Sequence, residues 1–135
     1  MIRFECDYAE GAAPQLLERL TRTNLEQTPG YAVDGHCQRA RDLIRAACAA
    51  PQAEVEFLVG GTQANQTVIS AALRPYQGAL CAQTGHINVH ETGAIEATGH
   101  KVLPLPSQDG KITPKQVEQF CAVHWADPTR EHIVQ

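Results

Sequence analysis

Residues 54–73 read EVEFLVGGTQANQTVISAAL, and this stretch decides which fold the sequence predicts. It opens with the mainly apolar run 55–59, which is short enough to be a buried strand. The pair Gly60-Gly61 follows, and the apolar residues of the next segment, 62–73, fall at helical spacing. The stretch therefore predicts a strand, a glycine turn and a helix in succession.

The junction of this strand and helix is a candidate anion site. Free backbone N–H groups and the positive end of a helix attract a phosphate, and the hydroxyl of Thr62 can add one more donor. The alternative is an ordinary helix start, in which Thr62 is the N-cap and the glycines only turn the chain. The local pattern alone favours this alternative. The lysine and spacing of a Walker loop are absent as well, which argues against a nucleotide site.

Composition narrows the class of protein. The chain has 135 residues, enough for one domain or part of one, and its formal net charge of -4 argues against a nucleic-acid partner. No apolar run is long enough to cross a membrane. The five widely spaced cysteines contain no C-x-x-C motif, a pattern typical of reduced thiols. We therefore expect a cytoplasmic protein without a membrane partner.

Helices and strands alternate on both sides of the central stretch. Helices are predicted from Pro14 to Leu20, over 36–50, near 87–92 and from the capping box Thr113-Pro114-Lys115-Gln116, and strands over 79–83, over 101–105 and from 132. This alternation favours an α/β domain built on a largely parallel sheet.

Three histidines, His86, His90 and His100, lie close together in the sequence. In a helix, His86 and His90 would have the i, i+4 spacing of a metal-chelating pair. The following Glu91 does not match the H-E-x-x-H pattern of zinc proteases, and the spacing indicates no third ligand. The alternative is that these histidines only cap and pack a glycine-rich turn of the chain. We assign no metal site.

Four segments in order carry a family resemblance: CDY at 6–8, YAVDG at 31–35, GGTQAN at 60–65 and GHINVHETGAIEATGHKVLPL at 85–105. Over most of its length the chain resembles the threonine aldolase and β-eliminating lyase family of pyridoxal-phosphate enzymes. The resemblance implies an aspartate-aminotransferase-like fold of type I. Residues 1–135 would form the N-terminal portion of its large, cofactor-binding domain, with the C-terminal part of the fold absent.

The resemblance also implies roles for individual residues. Gly61, Thr62 and Gln63 match the loop that holds the phosphate of pyridoxal 5'-phosphate. His86 matches the histidine that lies over the pyridine ring, where it helps to retain the cofactor and position the substrate, and it is the candidate catalytic residue. Cys6 stands where the family usually has a serine near the substrate carboxylate, and a thiol is a poorer hydrogen-bond donor.

The groups that make this cofactor reactive are expected outside the chain. Pyridoxal phosphate needs a lysine for the Schiff base and a carboxylate at its ring nitrogen, and in the family both come after the region that corresponds to this chain. The lysines here are Lys101, Lys111 and Lys115, and we expect none of them to form the imine. The resemblance further implies that strand 54–59 lies at a sheet edge, remote from the strands near 79–83 and 101–105, so the sheet is incomplete.

The expected function is that of the N-terminal part of a lyase that cleaves β-hydroxy-α-amino acids, of the low-specificity L-threonine aldolase type, inactive as this chain alone. The complete enzyme would convert L-threonine to glycine and acetaldehyde and form a homo-oligomer, a dimer or tetramer. The first alternative is a truncated, non-catalytic remnant that acts as an assembly or interaction module. A small metal-binding domain is the second alternative and rests only on the histidines.

Overall fold

The computed structural model of the protein describes residues 5–6 and 8–127 and the backbone of 133–134. The chain divides into two compact units, Met1–Phe57 and Leu58–Gln135. The first unit contains helices α1 (Pro14–Thr23) and α2 (Gly35–Ala47). The second contains, in chain order, helix α3 (Gly61–Ala72), strand β1 (Gln77–Ala82), helix α4 (His86–Val89), a 3-10 helix (Glu96–Thr98), strand β2 (Val102–Leu105), helix α5 (Pro114–Ala126) and strand β3 (Ile133–Val134). No helix in the described part of the chain combines the length and apolar character that crossing a bilayer requires.

Helix α1 begins at Pro14 as predicted and runs to Thr23. Proline is favoured at this position because the first N–H groups of a helix have no intrahelical partner. The apolar stripe of the helix is not buried, since Leu16, Leu17 and Leu20 are 59%, 53% and 63% exposed. The helix is therefore confirmed, while its apolar face remains uncovered within the described residues.

Helix α2 ends earlier than the sequence predicts. It was expected to continue to residue 50 and to stop at a proline, but it ends at Ala47. Ala49 takes the left-handed conformation, with φ of 50°, and its N–H donates to the carbonyl of Ala46 at 3.1 Å. The N–H of Ala50 donates to the carbonyl of Arg45 at 3.0 Å. These two bonds form a Schellman motif, which closes the helix before the proline is reached.

The strand predicted at 54–59 is wrong. No secondary structure is formed over 54–58, Val59 is 96% exposed, and Val55 is only half-buried. Side chains take the place of a neighbouring strand here, because Arg41 Nε donates to the carbonyl of Val55 at 3.0 Å and the Val59 N–H donates to Gln63 Oε1 at 2.9 Å. An apolar run forms a strand only where another backbone pairs with it.

The sheet of the second unit is parallel, with strand order β2-β1-β3. Strands β1 and β2 pair in the register from Ala79 with Val102 to Ala82 with Leu105. Strand β1 also pairs with β3 through Gln77 and Ile133. The predicted strands at 79–83 and 101–105 and the predicted parallel α/β architecture are confirmed. The final strand was predicted to begin at residue 132, and the structure describes residues 133–134 of it.

Packing in the second unit centres on the segment between α4 and β2. Ile95 is completely buried, and Val102 and Leu105 of β2 are 6% and 5% exposed. Helix α5 starts with the predicted capping box, formed by Thr113 and Gln116. Of the residues predicted to be buried along α5, His124 is buried, whereas Val117, Phe120 and Cys121 are half-buried.

Candidate cofactor site

Helix α3 starts without a side-chain cap. Its N-cap is Gly60, and no side chain accepts a hydrogen bond from the first turn. Thr62 is the second residue of the helix and is half-buried, so the interpretation of Thr62 as an ordinary N-cap is wrong. The N–H groups of the first turn have no intrahelical acceptor, and they carry the positive end of the helix dipole. This helix start is therefore open to an anion.

The backbone before α3 leaves room for such an anion. A Cβ atom built on Gly60 or on Gly61 would meet no other atom within 4 Å. The side chain of Gln63 bends back to the Val59 N–H at 2.9 Å, which leaves the N–H groups at 61–63 without side-chain acceptors among the described residues. The position fits a phosphate that receives several backbone hydrogen bonds.

A tight turn carries the chain from β1 to His86. The Gly85 N–H donates to the carbonyl of Ala82 at 2.7 Å, and a Cβ on residue 85 would lie 2.9 Å from the same oxygen. Glycine is needed here because the two backbones approach so closely. His86 follows as the first residue of α4, and its side chain is 62% exposed. The imidazole of His86 therefore stands at the end of a parallel strand with one side open.

The carboxylate of Glu91 joins α3 to His86. Its Oε1 accepts a hydrogen bond from Asn65 Nδ2 at 2.6 Å, and His86 Nδ1 lies 2.8 Å from the same oxygen, within hydrogen-bond distance. The side chain of Glu91 is fully buried, and its Oε2 has no hydrogen-bond partner among the described residues. One carboxylate thus connects the helix that begins at the candidate phosphate site with the candidate ring histidine.

The turn that follows Glu91 holds this arrangement in place. Thr92 and Gly93 both adopt positive φ, at 50° and 79°, and Gln66 Nε2 of α3 donates to the carbonyl of Ala94 at 3.0 Å. The segment after Glu91 is therefore attached to α3 at a second point.

The sequence interpretation missed Asn65 and Glu91 as members of the site. It noted Asn65 only as part of the GGTQAN motif and Glu91 only as a glutamate in the wrong place for a zinc protease. The sequence did contain a signal for both residues. Asn65 is a polar residue of the segment that carries the phosphate loop, and Glu91 is a polar residue of the segment that carries the histidine. Their contact spans 26 positions, so no local pattern reveals it.

The remaining candidate residues are described by their own surroundings. Cys6 is a half-buried free thiol of the first unit, and its role near a substrate carboxylate stays a prediction. Lys111 lies 3.8 Å from Asp109 on the surface, and Lys115 is in the first turn of α5. His86 and His90 have their ring centroids 5.4 Å apart, but the described residues contain no group of three or more side chains that could hold a metal ion.

The sequence model of the family described as "Beta-eliminating lyase" matches residues 6–133. The chain belongs to this family. It is similar to the low specificity L-threonine aldolase of Pseudomonas sp. (strain NCIMB 10558), with 28% identity over 98% of this chain and 40% of that protein. It is similar also to the protein of the same name from Pseudomonas aeruginosa, with 27% identity over 93% of this chain and 38% of that protein.

A solved structure agrees with this assignment. The threonine aldolase of Leishmania major matches with a TM-score of 0.90 and 41% sequence identity, over 96% of this chain and 37% of that chain. The predicted pyridoxal-phosphate transferase fold of type I is thereby confirmed, as part of an α/β domain. The chain spans about two fifths of the length of these relatives.

Proposed function

We propose that this chain supplies the phosphate cradle and the ring histidine of a pyridoxal-phosphate-dependent lyase that cleaves β-hydroxy-α-amino acids. The reaction would be that of a low-specificity L-threonine aldolase, from L-threonine to glycine and acetaldehyde. The observation that carries the proposal is the uncapped start of α3, which is connected through Asn65 and Glu91 to His86. Membership of the β-eliminating lyase family supports the same cofactor.

Each residue has a defined part in this proposal. The backbone N–H groups of Gly61, Thr62 and Gln63 donate to the cofactor phosphate, and the Thr62 hydroxyl adds a further donor. His86 packs its imidazole against the pyridine ring, and Cys6 lies near the substrate carboxylate. When it is bound, the cofactor supplies an electron sink for the bond that breaks at the α-carbon of the substrate.

We propose that the 135-residue chain alone has no lyase activity. Lys101 directly precedes a strand, and Lys111 and Lys115 belong to a surface loop and a helix start. In this proposal the reactive lysine and the ring-nitrogen carboxylate come from a part of the enzyme to which these residues do not correspond.

We also propose a cytoplasmic location and assembly as a dimer or tetramer. The uncovered apolar stripe of α1, formed by Leu16, Leu17 and Leu20, supports assembly. The same stripe favours the second candidate, a non-catalytic remnant that acts as an assembly module. The two candidate functions differ in the cofactor binding that they predict, because an assembly module does not require a helix start that binds phosphate.

The test is a titration of the full 135-residue chain with pyridoxal phosphate and, separately, with inorganic phosphate. We expect both to bind and Thr62→Val to weaken both on the order of tenfold, because one hydrogen bond to a charged group is lost. Thr67→Val is the matched control, since Thr67 is an exposed threonine of the same helix. Equal affinity of the wild type and Thr62→Val would remove the hydroxyl from the cradle, and no binding of either compound would favour the assembly module.

The visible spectrum of the same titration tests the proposed inactivity. Without a Schiff-base lysine the bound cofactor is expected to retain its free-aldehyde spectrum. A stoichiometric protein imine band that is absent from a Lys101→Ala, Lys111→Ala, Lys115→Ala triple variant would contradict this part of the proposal.

A further inference from the structure

The burial of Glu91 needs an explanation. Its side chain is 0% exposed, although the histidine that it contacts is 62% exposed. Asn65 Nδ2 donates to Oε1, and His86 Nδ1 lies within hydrogen-bond distance of the same oxygen, whereas Oε2 is buried without a hydrogen-bond partner among the described residues. A buried charge with an unpaired oxygen is unfavourable, and proteins seldom retain one without a role for it.

A purely structural contact does not require this carboxylate. The carbonyl oxygen of a glutamine can accept the same two hydrogen bonds without placing a charge in the interior. The ring of His86 is mostly exposed, so it needs no buried partner in order to be accommodated in the fold. What a carboxylate adds over a free amide is that both of its oxygens accept, so no rotation of the side chain turns an N–H toward the ring nitrogen. In histidine, the partner of one ring nitrogen determines which of the two carries the proton.

We propose, on the basis of the proposed function, that Glu91 is a positioning residue for His86. Its carboxylate holds the neutral imidazole in the Nδ1–H tautomer and fixes the plane of the ring. Nε2, on the far side of the ring, is left without a proton and accepts a hydrogen bond from cofactor or substrate. A carboxylate orients a functional imidazole in the same way in other enzymes.

The same oxygen also positions the phosphate cradle. Asn65 is the fifth residue of α3 and lies about one turn after the helix start at Gly61. Because a helix moves as a rigid element, the hydrogen bond from Asn65 to Glu91 sets the position of the open helix start relative to His86. A single buried carboxylate thus positions both the phosphate cradle at the start of α3 and the imidazole of His86.

The decisive measurement is the ¹⁵N NMR spectrum of the His86 ring in the full 135-residue chain without cofactor, at alkaline pH. The wild type is expected to show a protonated Nδ1 and an unprotonated Nε2. Glu91→Ala removes the acceptor and is expected to move the proton to Nε2. Glu91→Gln is expected to restore the Nδ1–H form, because Asn65 keeps the amide oxygen directed at the same position.

The matched control is Glu96→Ala, which removes an exposed carboxylate five residues further along and is expected to leave the tautomer unchanged. A wild-type His86 in the Nε2–H form would overturn the proposal, and this measurement needs no variant that might fold poorly. Retention of the Nδ1–H form in Glu91→Ala, or its loss in Glu91→Gln, would also overturn it.

Cofactor affinity gives the second readout. Glu91→Ala is expected to bind pyridoxal phosphate about tenfold more weakly than the wild type, since both the imidazole and α3 lose their common acceptor. Unchanged affinity would remove the coupling to the cradle. A wild-type chain with the Nδ1–H tautomer and no affinity for pyridoxal phosphate would refute the proposed function and leave the positioning role of Glu91 intact.

Discussion

The helices α2 and α3 begin in opposite ways. At the start of α2, Asp34 Oδ1 accepts hydrogen bonds from the N–H groups of His36 and Cys37, both at 2.9 Å. At the start of α3, Gly60 occupies the corresponding position and no side chain accepts from the first turn. The carboxylate of Asp34 thus satisfies two N–H groups of the first turn of α2. An open start of a 12-residue helix costs some stability and leaves donors for an anion.

The pKa of Asp34 shows how the start of α2 differs from the start of α3. The hydrogen bond from the Cys37 side chain, together with those from the Cys37 and His36 backbone, lowers the pKa of Asp34 to about 2. The N–H groups at the start of α2 therefore stabilise a negative charge that belongs to the protein. The equivalent groups of α3 are, in our proposal, available to a negative charge from outside.

The largest effect is expected from closing α3 in the way that α2 is closed. Gly60 has an extended backbone, with φ of 179°, and a Cβ atom there meets no atom within 4 Å, so we expect the fold to tolerate Gly60→Asp. Its carboxylate occupies the first-turn N–H groups and repels phosphate. We expect the affinity for pyridoxal phosphate and for inorganic phosphate to fall on the order of a hundredfold, by the loss of about two charge-assisted bonds.

Thr67→Asp is the control for this substitution. It introduces the same charge at an exposed position further along α3 and is expected to change phosphate affinity much less. Similar losses in the two variants would show that general charge repulsion, and not occupation of the helix start, controls binding.

A smaller effect is expected at the other end of α2. Ala49 has φ of 50° in the Schellman motif, whereas the 3-10 helix of the second unit ends on Gly99 with φ of 88°. A left-handed conformation is unfavourable for alanine and free of strain for glycine. Ala49→Gly is therefore expected to raise the free energy of unfolding by about 0.5–1 kcal/mol, measured by urea denaturation.

Ala46→Gly provides the matched comparison, because this residue lies inside the helix. There glycine is expected to lower the free energy of unfolding by about 0.5–1 kcal/mol. Destabilisation by both substitutions would contradict the left-handed conformation of residue 49.

The smallest effect is expected at Asp34, and it is best measured as a pH dependence of stability. The pKa of Asp34 is lower in the folded chain, about 2, than its ordinary value of 3.8. Its contribution to stability is therefore fully present above pH 3.8 and is lost as the pH falls toward 2. Asp34→Ala is expected to lower the thermal midpoint at neutral pH, with the difference from the wild type disappearing near pH 2.

Asp34→Asn separates the contribution of the N-cap hydrogen bonds to stability from that of the carboxylate charge. Asparagine is about as good an N-cap as aspartate and does not titrate, so this variant should retain most of the stability at neutral pH and lose the pH dependence. A pH dependence that persists in Asp34→Asn would assign it to another group.

Local sequence signals predicted most of the elements, and the family resemblance supplied about half of the residues in the candidate site. The helices over 14–23 and 114–126 follow from apolar spacing, first-turn prolines and a capping box, all of which act within one or two turns. Gly61, Thr62, Gln63 and His86 were selected through family segments of the sequence. The strand predicted at 54–59 was wrong because a strand depends on a distant partner as well as on its own apolar residues.

The sequence by itself determined where the helices start, that the strands are parallel, and which family the chain belongs to, because each of these is written in short-range spacing or in contiguous motifs. The tertiary structure alone decided that α3 starts uncapped and that Asn65, Glu91 and His86 meet at one buried oxygen. That contact joins residues 26 positions apart, and burial and hydrogen-bond partnership over such a separation arise only when the chain packs on itself.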